Sequence, residues 1–331
     1  MRAFFIAYFF ITATLAAQSP LLLVLEKGAS ALGYYTFEGQ RVGEVKVGQH
    51  PHEMVVSPDG KFAYITDNGV MRIENAGRGG NTVSIVDVPG RRRVNTIKLD
   101  QFFRPHGIDL DPTTNRLALT VENPDQFLLL DIRDRRILRA YDTKGKTPHM
   151  VRFGPTKGGA QYAYVSNSGS GTLSVVQLAT GGEMKVLPIG ERPEGSRLSV
   201  DHTELYVANR ESHTITIIDT TRHAQVGVIK TGGKGPVRMD VTPDGRYLVY
   251  ALMHDHKIEI ADLQTRQPVA QIAVEGEPIS LSVSADGKFA FASSEEIDTV
   301  HIISLADRKL VRSFKTPKGA GPDPVLMVSA K

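Results

Sequence analysis

The sequence predicts an all-β chain folded as a seven-bladed β-propeller of four-stranded antiparallel blades. Three observations carry this. A proline recurs ahead of a short apolar strand at Pro51, Pro105, Pro148, Pro193, Pro236, Pro278 and Pro324, at intervals of 54, 43, 45, 43, 42 and 46 residues. The same four-strand pattern follows each of the first six. The two chain ends supply complementary fragments of a seventh. A period of 40–50 residues with four strands in each unit is the signature of propeller blades.

The unit beginning at Pro236 reads PVRMDVTPDGRYLVYALMHDHKIEIADLQTRQPVAQIAV. It predicts strands over 237–241, 246–252, 257–261 and 268–274. Pro243-Asp244-Gly245 forms the first turn, with glycine free to adopt the positive φ a tight hairpin needs. Asp59-Gly60 and Asp286-Gly287 repeat that turn. Residues 21–47 contain three strands with no first strand before them, and residues 324–330 are a first strand with none after. Joining them closes the ring and removes two exposed sheet edges.

Composition limits the function. The chain has 331 residues, 41% hydrophobic and 23% charged, with 39 basic against 36 acidic residues and a net charge of +3. So small a surplus argues against a nucleic-acid partner. Residues 1–17 read as a signal peptide: Arg2, the apolar run AFFIAYFFITATLA, then small residues Ala16 and Ala17. The run is short for a membrane span, which needs about 20 residues; a retained N-terminal anchor is the alternative. The expectation is a periplasmic or secreted protein, with residues 18–331 a single domain, monomeric and without a span once the signal is removed. No cysteine is present. That leaves no disulfides, thiolate metal sites or lipid-modified cysteine.

The second strands read FAYITDNG, YAYVSNSGSGTLSVV, LYVANRESHTITIID and FAFASSEEIDTVHII, after SPDGK, SVDHTE or SADGK. In these the chain resembles the YVTN-repeat propeller family over nearly all of its mature length. The absence of tryptophan separates it from Trp-Asp repeat and kelch propellers. It is more distantly similar to seven-bladed lactonases and muconate-type cycloisomerases, which share Pro-His leads into inner strands, here Pro148-His149. That resemblance implies His, Arg and Glu at a channel mouth.

In a propeller the first strand of each blade lines the central channel, so the residue after each leading proline stands at one mouth. Around the ring these are His52, His106, His149, Glu194, Val237, Ile279 and Val325. A half-polar, half-apolar ring has the character of a ligand pocket. Three imidazoles and a carboxylate are also ordinary ligands for a divalent metal, a possible cofactor, although no local spacing motif supports one. Arg197 and Arg238, with Arg152 nearby, lie further along inner strands. Any that face the channel suit a carboxylate or phosphate; the alternative is pairing with Asp109, Asp240 or Glu194.

Other features are secondary. Asn68, Asn167 and Asn209 match the last letter of the repeat motif and read as structural. His213 and His256 align ahead of third strands, which suggests a repeat role. Glu211 and His254 align at the mouth-side corner. The longest interval holds an insertion, GVMRIENAGRGG, on the His52 side, as a binding loop or a disordered one; Phe102 and Phe103 would add aromatic surface there.

The leading expectation is an exported propeller binding a small ligand or a protein partner through His52, His106, His149, Glu194, Arg197 and Arg238, with no enzymatic activity assigned. One alternative is a lactonase or cycloisomerase type of enzyme. In it His149 acts as general acid or base, Arg197 and Arg238 hold a carboxylate, and Glu194 or Glu211 assists. The other is a metal-dependent protein using His52, His106, His149 and Glu194.

Overall fold

A computed structural model describes residues 20–154, 161–179 and 184–328; the signal-peptide reading of residues 1–17 lies outside them. The strands form seven four-stranded antiparallel sheets. Blades 1 to 6 span residues 51–98, 103–142, 148–188, 193–230, 236–273 and 278–315. In blade 7 the inner strand is Pro322–Val328, paired with Leu21–Glu26, followed by Ala31–Tyr35 and Arg41–Lys46. The closing register runs Leu21 with Val328, Val24 with Val325 and Glu26 with Pro322. The ring therefore closes as the complementary ends predict, with the last strand starting at Pro322 instead of 324. Among the described residues no helix is long and apolar enough to cross a membrane.

The strands follow from residue type. Second and third strands are rich in Val, Ile, Tyr and Phe and are covered on both faces, as FAYITD and TITIID show. Outermost strands such as KLVRSFK are largely exposed and carry the charges. Blade 5 matches its predicted strands within one residue at each boundary. The predicted turns form, with Gly60, Gly245 and Gly287 at φ of 73°, 72° and 70°. In each, the aspartate before the glycine accepts hydrogen bonds from the turn: Asp59 from Ser57 Oγ at 2.6 Å and from Lys61 N at 3.1 Å.

Seven apolar clusters fill the seven gaps between neighbouring blades. Phe291 and Ile302 of blade 6, for instance, meet Leu22, Val24 and Val325 of blade 7. At the channel two inner strands approach their neighbours so closely that a side chain does not fit between them. A Cβ on Gly195 would lie 2.0 Å from Val237 O, and one on Gly107 would lie 2.4 Å from His149 O. This tight ring presents every inner strand to the same axial channel.

Candidate functional site

Each inner strand starts at one mouth of the channel, and its first residues fix what that mouth presents. Outside blade 2, where Pro105 faces Val121, the leading prolines pair with the last residue of the second strand, as Pro51 with Asp67, Pro148 with Asn167 and Pro193 with Asn209. In blade 7 the proline in that register is Pro322, opposite Glu26. The residue following it is Asp323. Val325, the expected seventh member, is buried in the core between blades 6 and 7. The corrected ring has a polar arc over five successive blades: Asp323, His52, His106, His149 and Glu194. Val237 and Ile279 complete it, and these seven side chains line one cavity of about 330 Å³.

The three imidazoles form a buried row, edge-to-face for His52 and His106 and tilted for His106 and His149, and are 3%, 4% and 6% exposed. Ring centroids lie 4.8 Å apart for His52 and His106, and 4.0 Å for His106 and His149. His52 Nε2 donates to the carbonyl of Val70 at 2.7 Å. The Nδ1 atoms of His106 and His149 are buried without a hydrogen-bond partner among the described residues. Burial pushes all three imidazoles well below their ordinary pKa, and neighbouring rings and the cations Lys27, Arg210 and Arg238 push further the same way. The row is therefore neutral at physiological pH.

Charged groups surround it. Glu194 pairs with Arg210 at 2.8 Å, and Arg210 with Glu211 at 2.9 Å. Lys27 lies 2.9 Å from Glu295 and 3.6 Å from Asp323. Burial raises the Asp323 carboxyl to about 7, partly opposed by Lys27. Deeper in the channel, Arg238 Nε donates to Glu53 Oε1 at 3.0 Å.

The insertion folds as a roof over this mouth. Met71, Arg72, Ile73 and Glu74 line the cavity. Arg104 of blade 2 donates to Ile73 O at 2.7 Å and Asn75 O at 3.1 Å. Glu74 reaches Arg192, just before blade 4, at 3.1 Å, and Arg72 reaches Glu295 in blade 6 at 3.9 Å. Phe102, expected at this surface, packs in the core between blades 1 and 2, while Phe103 lies under the Arg78 guanidinium at 3.8 Å.

The remaining candidates divide. His254 lines the cavity and Glu211 stands beside Arg210. His213 and His256 occupy left-handed turn positions and bond Arg210 O and Gly276 O. Asn167 and Asn209 donate to third-strand hydroxyls, Thr172 and Ser174 or Thr214 and Thr216. Asp67, not Asn68, is their counterpart: it accepts from Thr82 and Ser84, whereas Asn68 donates to Pro105 O.

Arg197 and Arg152 do not join the histidines. They lie four residues past their leading prolines and line a separate cavity of about 680 Å³ at the opposite mouth, where Arg197 pairs with Asp240 at 2.7 Å. Arg238, two residues past its proline, lines the histidine cavity. The split follows from depth along the strand: two further residues carry Arg152 and Arg197 about 7 Å deeper, toward the opposite mouth. The proposed metal set does not converge either. Its imidazoles pack against one another, Glu194 is held by Arg210, and among the described residues no three His, Asp or Glu side chains form a metal-holding group.

Fold and mouth together define a closed seven-bladed β-propeller with a roofed channel opening. A family model described as the cytochrome D1 heme domain matches residues 200–330. Antigen Lp49 of Leptospira interrogans is 26% identical over 190 residues, covering 55% of this chain and 41% of that protein; the match thus spans well under half of that relative. The periplasmic gluconolactonase PpgL of Pseudomonas aeruginosa superposes with a TM-score of 0.76 at 16% identity, covering 94% of this chain and 99% of that one. Hydrazine synthase of Kuenenia stuttgartiensis gives 0.71 at 20% identity, with 90% and 99% covered. At these identities the structural likeness is one of fold.

Proposed function

We propose that this chain is an exported propeller that binds a small ligand in the roofed cavity at its Pro-His mouth. One observation carries the reading: His106 and His149 both line that cavity, and each has a buried Nδ1 with no hydrogen-bond partner among the described residues. A buried polar atom without a partner costs about 1–3 kcal/mol. Such a pair is best explained by a ligand that completes their hydrogen bonds. The neutral row, with Val237, Ile279, Met71 and Met253 opposite, suits a compact uncharged molecule with two hydrogen-bonding groups. The roof covers the surface on which a protein partner would have to engage the histidines, so a small molecule is the better fit. Export rests on residues 1–17 and agrees with the periplasmic description of PpgL.

A lactonase-type reaction is less well supported. His149 is neutral and suited to act as a base, but the carboxylate clamp divides: Arg197 is at the other mouth and Arg238 is paired with Glu53. A haem reading gains little from the matched family model, because residues 200–330 exclude all three histidines.

A thermal-shift panel of aldonolactones, cyclic ketones and small neutral heteroaromatics tests the proposal. A ligand present at about 100 times its Kd stabilises by about 2.7 kcal/mol, a shift of several degrees. The expected result is at least one compound that raises the Tm of the wild type and leaves the His106→Phe/His149→Phe double variant unmoved. An equal shift in both proteins would remove the histidines from the site.

A further inference from the structure

The mouth opposite the histidines has its own chemistry. Its cavity, about 680 Å³, is lined by Arg152 and Arg197 from adjacent blades and walled by Phe153, Leu198, Val241 and Pro243. The two carboxylates nearby already serve the fold. Asp109 accepts the amide of Phe153 at 2.8 Å. Asp240 accepts the amides of Val241 and Val283, both at 2.9 Å, and forms an ion pair with Arg197 Nε at 2.7 Å. Each thereby ties its blade to the next.

The guanidiniums are less completely matched. Among the described residues Arg152 donates only to main-chain carbonyls: Ser196 O at 2.9 Å, Val151 O at 3.1 Å and Ile108 O at 3.4 Å. Among the described residues it makes no ion pair, whereas Arg238 in the waist between the cavities has Glu53. Arg197 uses Nε on Asp240 and has no other hydrogen bond or ion pair among the described residues, with its side chain 47% exposed. Two neighbouring planar forks with open donors match a carboxylate better than a spherical ion. The apolar wall beside them favours an organic body over bare phosphate.

We propose that this second mouth is a separate site for a small organic carboxylate, its oxygens on Arg152 and Arg197 and its apolar part against the Phe153–Pro243 wall. The site does not depend on the histidine cavity, from which the channel waist and its Arg238–Glu53 pair separate it.

Isothermal titration calorimetry with benzoate, its uncharged analogue benzamide and inorganic phosphate tests this. Each is carried to about 10 mM, enough to reveal a millimolar site. Benzoate should bind one per chain, benzamide should give no saturable heat, and phosphate should bind more weakly than benzoate. Loss of a charged hydrogen bond should weaken benzoate about tenfold or more in Arg197→Gln. Arg197→Lys, which keeps the charge without the fork, should lie between and guards against a folding defect in the first variant. His106→Phe/His149→Phe should bind benzoate as the wild type does, so failure here is separable from failure of the histidine site. The proposal is overturned by absence of benzoate binding, by phosphate binding as tightly as benzoate, or by benzoate affinity that is unchanged in Arg197→Gln or lost in the histidine variant.

Discussion

The His106 and His149 rings lie 4.0 Å apart, centroid to centroid, each with a buried Nδ1 that makes no hydrogen bond among the described residues. Replacing both by phenylalanine keeps the packed area and removes the two orphaned atoms. The ligand-free double variant should therefore be more stable than the wild type, by about 1–2 kcal/mol, as measured by denaturant unfolding. A clear loss of stability would mean that those nitrogens have partners in solution.

The same row should shape the acid limb of stability. All three histidines have folded-state pKa values below the unfolded value of about 6.5. The unfolded chain then binds more protons below that pH, and the stability the neutral rings contribute is lost as pH falls. His301, lowered to about 4 by burial, acts in the same sense. Buried Asp67, raised to about 6, and Glu122, raised to about 7, act in the opposite one. Because these terms overlap, the comparison to make is between proteins. From pH 7 to pH 5 the wild type should lose more stability than His106→Phe/His149→Phe, by up to about 4 kcal/mol if both rings stay neutral to pH 5. Parallel curves would show the rings to be charged or exposed.

Asp323 gives the opposite slope. Its carboxyl is raised to about 7 by burial. Its contribution is therefore full below the unfolded pKa of about 3.9 and is lost as pH rises through 7. Asp323→Asn stays neutral throughout. Relative to the wild type it should gain stability between pH 4 and pH 8, by at least about 1 kcal/mol, with the difference levelling off above pH 8. A variant that loses ground over that range would mean that the ionised carboxylate is well paired with Lys27.

Gly195→Ala tests the closeness of the inner strands. The added Cβ would fall 2.0 Å from Val237 O and 3.0 Å from Arg238 Cα, both on the neighbouring blade's backbone. Overpacking of this kind costs about 1–3 kcal/mol, and a backbone obstacle leaves little room to relax. Thermal unfolding should show a loss of that size; an unchanged Tm would contradict the inter-blade spacing at the channel.

The repeat was readable because a proline and an Asp-Gly turn recur at nearly constant spacing, and the three histidines were readable because they share one place in it. Asp323 was hidden by its neighbours. Pro322 and Pro324 flank it, and choosing Pro324 gave an interval of 46 where Pro322 gives 44, nearer the other short intervals. The separation of Arg197 from Arg238 follows from their places in the repeat, four and two residues past the proline, which set them at different depths of the channel. A Gly-rich insertion could not announce that Glu74 would reach Arg192 across two blades; that contact depends on ring geometry, which composition does not encode.

The most direct test is an X-ray structure of the protein soaked with the compound that gives the largest thermal shift. The account predicts a molecule under the 69–80 roof with a polar atom within about 3 Å of an imidazole nitrogen of His106 or His149. Density for that compound elsewhere, with only water or nothing beside the two imidazoles, would contradict it.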